Sequence, residues 1–239
     1  GFPNLAPFPP RSDAVGPAGK RALLLVGSAK ASGTSLSERL GRALLERLAH
    51  RGWSTDLRWL HHVVKLGRPE APALVEAIGG ADLVVLAAPV YVDCLPAVVL
   101  AALERMGNAT GGAVFLPIVQ CGFPETEHLT LALEVLSTAT RRLGYGWAGH
   151  LAVPGGPALA SAPLDRPGLA GRQVEGLDGA AAALDAGQPV PESAIEAFGT
   201  AVVSPAVYRF AGNAGWVAQA WGHGVLLDLG RRPFPESAT

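Results

Sequence analysis

Short unbroken apolar runs alternate with longer stretches in which apolar residues return every three or four positions, and this alternation organises the chain from Arg21 to Val153. The run Leu23-Leu24-Leu25-Val26 suits a strand covered on both faces of a parallel sheet. From Ser35 to Arg51, Leu36, Leu40, Ala43, Leu44 and Leu48 recur at helical spacing with charges between them, and Gly52 marks the stop. A second strand is expected from Ser54 to Leu60. After Pro69 and Pro72 come a helix over Ala73–Ile78 and a buried strand over Leu83–Ala88. Pro96–Met106 reads as a helix, Ala113–Val119 as the fourth strand, Glu127–Leu143 as a long helix and Trp147–Val153 as the fifth strand.

Strands alternating with helices predict an α/β fold, because parallel strands need right-handed helical crossovers. The expected architecture is a three-layer sandwich around a five-stranded parallel sheet in the order 2-1-3-4-5. Residues 1–20 are rich in Pro and Gly without periodicity and read as an arm. Residues 21–239 read as one domain carrying an Ala/Gly/Pro-rich insert, 154–191, and a helical C-terminal tail. The insert offers three readings: a lid, a dimer arm or plain surface.

Composition narrows the classes. An apolar content of 49% over 239 residues supports a generous core. The net charge of −1, with no basic stripe, argues against nucleic acid as a partner. No apolar run approaches the roughly 18 residues a membrane span needs, and the first residues lack the pattern of a secretory signal. Two cysteines, Cys94 and Cys121, make neither a disulfide framework nor a zinc or iron–sulfur pattern, and a reducing cytoplasm is the expected setting.

Three loops carry the candidate chemistry. In Arg21–Ser35, RALLLVGSAKASGTS, a strand ends in Gly, Ser and Thr just before a helix begins. Helix-start N–H groups are unpaired and lie at the positive end of the helix dipole, so a phosphate placed there gains hydrogen bonds and charge complementarity. Gly27 and Gly33 enclose five residues and are followed by Thr34-Ser35, which fits neither a nucleoside-triphosphate loop nor the dinucleotide fingerprint. What remains is a hydroxyl-rich cradle of Ser28, Ser32, Thr34 and Ser35 suited to a monophosphate, or a capped turn whose hydroxyls only satisfy the helix. The second loop, PVYVDCL at 89–95, offers the Tyr91 ring for stacking, unless that ring fills the core. The third, QCGFPE at 120–125, combines a Gly, the aromatic Phe123 and Glu125. Phe123 either covers a ligand or staples the loop to the next helix. All three loops follow strands that the 2-1-3-4-5 order makes neighbours, where such sheets bind ligands.

GSAKASGTS, ADLVVLAAPVYVDCLPAVVLAALERM and QCGFPETEHLTLALEVL, in this order, resemble the flavodoxin-like family of NAD(P)H-dependent FMN reductases. The tail AGNAGWVAQAWGHG resembles that of a subgroup. The resemblance implies FMN bound non-covalently, NAD(P)H as hydride donor and a small-molecule acceptor such as a flavin, quinone, azo or nitro compound. It implies phosphate contacts from Ser28, Lys30, Gly33, Thr34 and Ser35. It implies that Pro89, Val90, Tyr91 and Val92 line the ring, with Cys121, Gly122, Phe123 and Glu125 closing the site. A homodimer is implied as well. No catalytic acid or base is required, because the cofactor carries the chemistry. The first loop departs from the family pattern in having Ala29 where a Pro is usual and Thr34-Ser35 in place of Asn-Ser. A cysteine cluster for an iron–sulfur centre is absent.

Other residues read more plainly. His61 and His62 stand at a strand end, where neighbours point to opposite faces and do not jointly grip a metal. Cys121 reads as a small buried filler. Trp216 and Trp221 are expected to pack the last helix, the alternative being to cover a second copy's flavin. Two further classes stand beside the reductase: an electron carrier of flavodoxin type, and a flavodoxin-like binding module that has lost FMN.

Overall fold

The computed structural model describes residues 19–231 apart from 66, 110, 111 and 167, so the expected arm at 1–20 lies almost wholly outside the described residues. The chain divides after Val202 into two units. In the first, the order is β1 (Arg21–Val26), α1 (Leu36–Ala49), β2 (Ser54–Trp59), α2 (Leu60–Val63), α3 (Pro72–Ile78), β3 (Leu83–Val90) and α4 (Ala97–Arg105). Then follow β4 (Val114–Cys121), α5 (Glu127–Arg142), β5 (Gly146–Trp147), β6 (Leu151–Val153), a 3-10 turn at Gly156–Leu159, α6 (Gly171–Asp185) and α7 (Glu192–Gly199).

All strand pairings in the sheet are parallel, and its order is β2-β1-β3-β4-β5, with β6 also on β4. The expected 2-1-3-4-5 sandwich is therefore present, and its fifth strand is split. Gly149, at φ +100°, turns the chain between β5 and β6, and a Cβ there would stand 3.1 Å from that of Val190.

Strand alternation sorts the core into two layers. Ala22, Leu24 and Val26 of β1 face one layer with Leu40, Leu44 and Leu48 of α1, Leu177 and Leu184 of α6, and Phe198 of α7. Leu23 and Leu25 face the other with Leu74 of α3, Val98 and Val99 of α4, and Leu129, Leu133 and Leu136 of α5.

The 154–191 insert is not plain surface. Leu159, Leu164, Leu177, Ala180, Ala181 and Leu184 are buried in the α1-side layer, and α6 completes that layer beside α1. Its small residues allow close approach to α7. A Cβ on Gly176 would lie 2.7 Å from the Ala194 carbonyl oxygen and 2.7 Å from the Phe198 Cβ. His61 and His62 also differ from expectation: they belong to the short helix α2, not to extended backbone, and their rings meet edge to face at 4.3 Å.

The second unit holds α8 (Pro205–Gly222) and a 3-10 turn at Leu226–Asp228. Ser204 caps α8, and Ala220 is its one buried residue. Trp216 and Trp221, expected to pack this helix, are each 77% exposed, as is Phe210. Among the described residues no helix is long and apolar enough to cross a membrane.

Candidate functional site

Register places the three loops side by side. Val26 pairs with Ala87 and Ala87 with Ile118, so the carboxyl ends of β1, β3 and β4 lie side by side, with β3 and β4 running three residues further to Val90 and Cys121. Pro89 pairs with Gln120 and Val90 with Cys121, which makes these four residues strand positions instead of loop positions. Pro89, Val90 and Cys121 are buried there. Their side chains belong to the packed sheet, and the exposed surface at this edge comes from the residues that follow.

The first loop is built from its own polar groups. The Lys30 N–H donates to Ser28 Oγ at 3.2 Å, and both the N–H and the hydroxyl of Thr34 donate to the Ala31 carbonyl, at 3.2 and 2.7 Å. Gly33 takes φ +80°, which suits Gly, and its N–H donates to Glu38 Oε2 at 2.8 Å. Ser35 is the N-cap of α1, its Oγ accepting the Glu38 N–H at 3.4 Å. The pair Ser35 and Glu38 has the spacing of a capping box, with the carboxylate bonding the N–H of Gly33, ahead of the N-cap, instead of that of Ser35 itself. That four-residue signature was legible in the sequence, and it is the feature the loop chemistry alone overlooks. Burial pushes the Glu38 carboxyl up, but the Gly33 N–H bond and the Arg42 guanidinium outweigh it and hold it below the usual carboxylate range. Ser28 and Ser35 are buried, while residues 29–34, including Lys30, Gly33 and Thr34, face solvent.

The second loop is a tight turn held by reciprocal backbone bonds between Tyr91 and Cys94, at 2.9 and 3.0 Å. It forces two residues with side chains into left-handed backbone, Val92 at φ +48° and Asp93 at φ +62°. Tyr91 is 53% exposed and Val92 85%, so Tyr91 does not fill the core. In the third loop Phe123 is 50% exposed, and its ring lies 4.5 Å from that of His128 with 33° between the planes. Phe123 thus staples the loop to α5 and still offers ring surface. Gly122 is exposed, with open space where a Cβ would sit. Cys121 is the buried filler its type suggested. Burial pushes its thiol pKa up, and its Sγ lies 3.3 Å from the Phe123 carbonyl.

Several residues at this edge escaped sequence reasoning. Gln120 directs Nε2 to Ser37 Oγ at 3.5 Å, linking the end of β4 to α1. Gly155, just past β6, donates its N–H to the Phe123 carbonyl at 2.7 Å. A Cβ on Gly156 would run into the Gln120 side chain. Asp93 and His128 meet at 2.6 Å across two loops. None of these pairings leaves a local signal, because the partners are distant in sequence.

These residues fit FMN. The Gly33 N–H already holds a carboxylate oxygen at the N-terminal end of a helix, which shows that the loop presents a donor to an oxyanion. The exposed Tyr91, Val92 and Phe123 supply apolar surface of the kind a flat heterocycle covers.

Comparison with known proteins gives the family and the fold. A family model described as NADPH-dependent FMN reductase matches residues 21–144. No curated protein matches the chain. Among solved structures, an NADH:FMN oxidoreductase in its apo form is 14% identical with a TM-score of 0.54, covering 79% of this chain and 98% of its own. A structure described as a quinone reductase from Klebsiella pneumoniae is 17% identical with a TM-score of 0.52, covering 72% of this chain and 87% of its own. At these identities the two structures speak for the fold.

Proposed function

This chain belongs to the NADPH-dependent FMN reductase family, and from that membership and the geometry of its three strand-end loops we infer how its own residues serve the reaction. It is an FMN-dependent NAD(P)H oxidoreductase. When bound, FMN accepts hydride from the nicotinamide and passes the electrons on.

The protein's part is to bind and orient. The loop from Ser28 to Ser35 holds the phosphate when the Gly33 N–H and the Thr34 hydroxyl exchange their present acceptors, Glu38 and Ala31, for it, with the Ser35 hydroxyl and the exposed amine of Lys30 beside them. Tyr91, Val92, Gly122 and Phe123 lie against the ring, and Glu125 borders it. Pro89, Val90 and Cys121 act from inside the sheet by fixing where the second and third loops begin. No side chain is assigned as acid or base. The acceptor is a small flat molecule, a flavin, quinone, azo or nitro compound, because the exposed surface here is aromatic and apolar. One observation carries the reading: an oxyanion-holding Gly33 N–H and an exposed Tyr91–Phe123 surface stand at adjacent strand ends of one sheet.

The test is an absorbance spectrum with and without added FMN, followed by anaerobic NADPH. Flavin bands that bleach support the reading. Bound flavin that NADPH leaves oxidised points to an electron carrier, and a protein that takes up no flavin points to a binding module.

A homodimer is part of the same proposal. It is supported by α8, which presents Phe210, Trp216 and Trp221 to solvent, surface that a second copy would cover. Light scattering at micromolar concentration decides it, and a fully active monomer overturns it. A reducing, cytoplasmic setting is supported by the two free thiols, exposed Cys94 and buried Cys121, and is checked by cell fractionation.

A further inference from the structure

A side-chain contact joins the second loop to the helix that follows the third. His128, the second residue of α5, places Nδ1 2.6 Å from Asp93 Oδ1. An ionised carboxylate only accepts hydrogen bonds, so Nδ1 carries the proton. Asp93 sits in left-handed backbone beside Val92, which shares that conformation and, being β-branched, is strained by it. Such a turn persists only where its surroundings hold it. The reciprocal Tyr91–Cys94 bonds hold its backbone, and the His128 imidazole holds its side chain. The same imidazole lies against the Phe123 ring, and the Phe123 carbonyl accepts N–H of Gly155. One histidine on a rigid 16-residue helix therefore touches the fixing points of both loops.

We propose that His128 is a positioning residue for the flavin ring: it tethers the Val92–Asp93 turn through Asp93 and backs Phe123, so that the two loops bearing Tyr91 and Phe123 act as one clamp. The proposal rests on the FMN reading and extends it to a residue outside the three loops. It assigns His128 no proton transfer. The clamp acts on the ring and leaves the phosphate loop untouched. Losing it weakens FMN and riboflavin alike, whereas a defect in the phosphate loop separates the two.

The experiment titrates wild type, H128A, H128N and D93G with FMN and with riboflavin by flavin fluorescence, and measures NADPH oxidation at saturating FMN. H128A is expected to bind both flavins about tenfold more weakly at an unchanged FMN-to-riboflavin ratio, as loss of a charge-assisted tether would give. Its kcat is expected to fall more than its KM for NADPH changes. Asn places an N–H donor on the same branch of the side chain as Nδ1 but has no ring to back Phe123, so H128N is expected to recover part of the loss and to bind both flavins more tightly than H128A. If H128A does not fold, D93G removes the tether from the other side while accepting the positive φ, and it shows the same paired loss. Wild-type affinity in H128A or D93G, a loss confined to FMN, or an H128N no better than H128A overturns the clamp alone. A wild-type protein that binds neither flavin overturns the FMN reading and the clamp with it.

Discussion

The carboxylate of Glu38 receives the N–H of Gly33 at 2.8 Å, so the loop ahead of α1, proposed above to hold the phosphate, closes around an anion supplied by its own helix. Arg42 Nε binds the other oxygen at 2.8 Å, and the carboxylate is almost fully buried. A phosphate on this loop meets that fixed negative charge. Replacing it by the neutral amide in E38Q is expected to tighten FMN about fivefold while leaving riboflavin unchanged, since about 1 kcal/mol of like-charge repulsion is relieved. Paired fluorescence titrations check this, and equal effects on both flavins would move the phosphate away from this loop.

His150, between β5 and β6, has its pKa lowered to about 4 because burial disfavours the imidazolium. The unfolded chain binds a proton near pH 6.5 and the folded chain does not, so stability is complete above that pH and falls as pH drops from about 6.5 towards 4. The loss is at most ~3 kcal/mol. Denaturant unfolding across this window is expected to show a shallower pH dependence in H150Q. Identical slopes would mean that His150 is protonated in the folded protein.

Tyr145 is buried, and its hydroxyl has no hydrogen-bond partner among the described residues. Burial also pushes its pKa up. Y145F removes the unpaired group while keeping the edge-to-face contact with Phe115 at 6.2 Å. It is expected to stabilise the fold by about 1 kcal/mol, roughly a 2–4 °C rise in Tm for a chain of this size. A lower Tm would reveal a partner for the hydroxyl.

Gly176 touches α7 backbone where α6 crosses it, whereas Gly171, at the start of the same helix, has nothing among the described residues within 4 Å of a Cβ. G176A is expected to cost about 1–3 kcal/mol through overpacking. G171A is expected to be neutral or slightly stabilising. Thermal melts of the two variants distinguish a core role for the 154–191 segment from a peripheral one, and equal melts would favour the periphery.

Much of the fold was legible because it is written in local patterns. The run Leu23–Val26 and the spacing of Leu36, Leu40, Leu44 and Leu48 mark strand and helix by period alone. Boundaries were less legible where ladder pairing overrides turn chemistry. Pro89 and Gln120 read as loop beginnings yet pair with each other inside the sheet. The segment 154–191 misled because Ala and Gly carry little hydrophobic signal one residue at a time. In place, the same small side chains let α6 settle against α1 and α7.

By itself the sequence determined the alternation of strands and helices from β1 to α5, the parallel class of the sheet and the three loops that follow β1, β3 and β4, since each depends on residues near one another in the chain. Tertiary structure decided what those loops do to each other. The Asp93–His128 tether, the seat of Phe123 against His128, the Gln120 link to Ser37 and the burial of α6 all join residues whose proximity follows from sheet register and helix packing. A hydrogen bond or a ring contact is decided over a few ångströms, and only the assembled layers set distances on that scale.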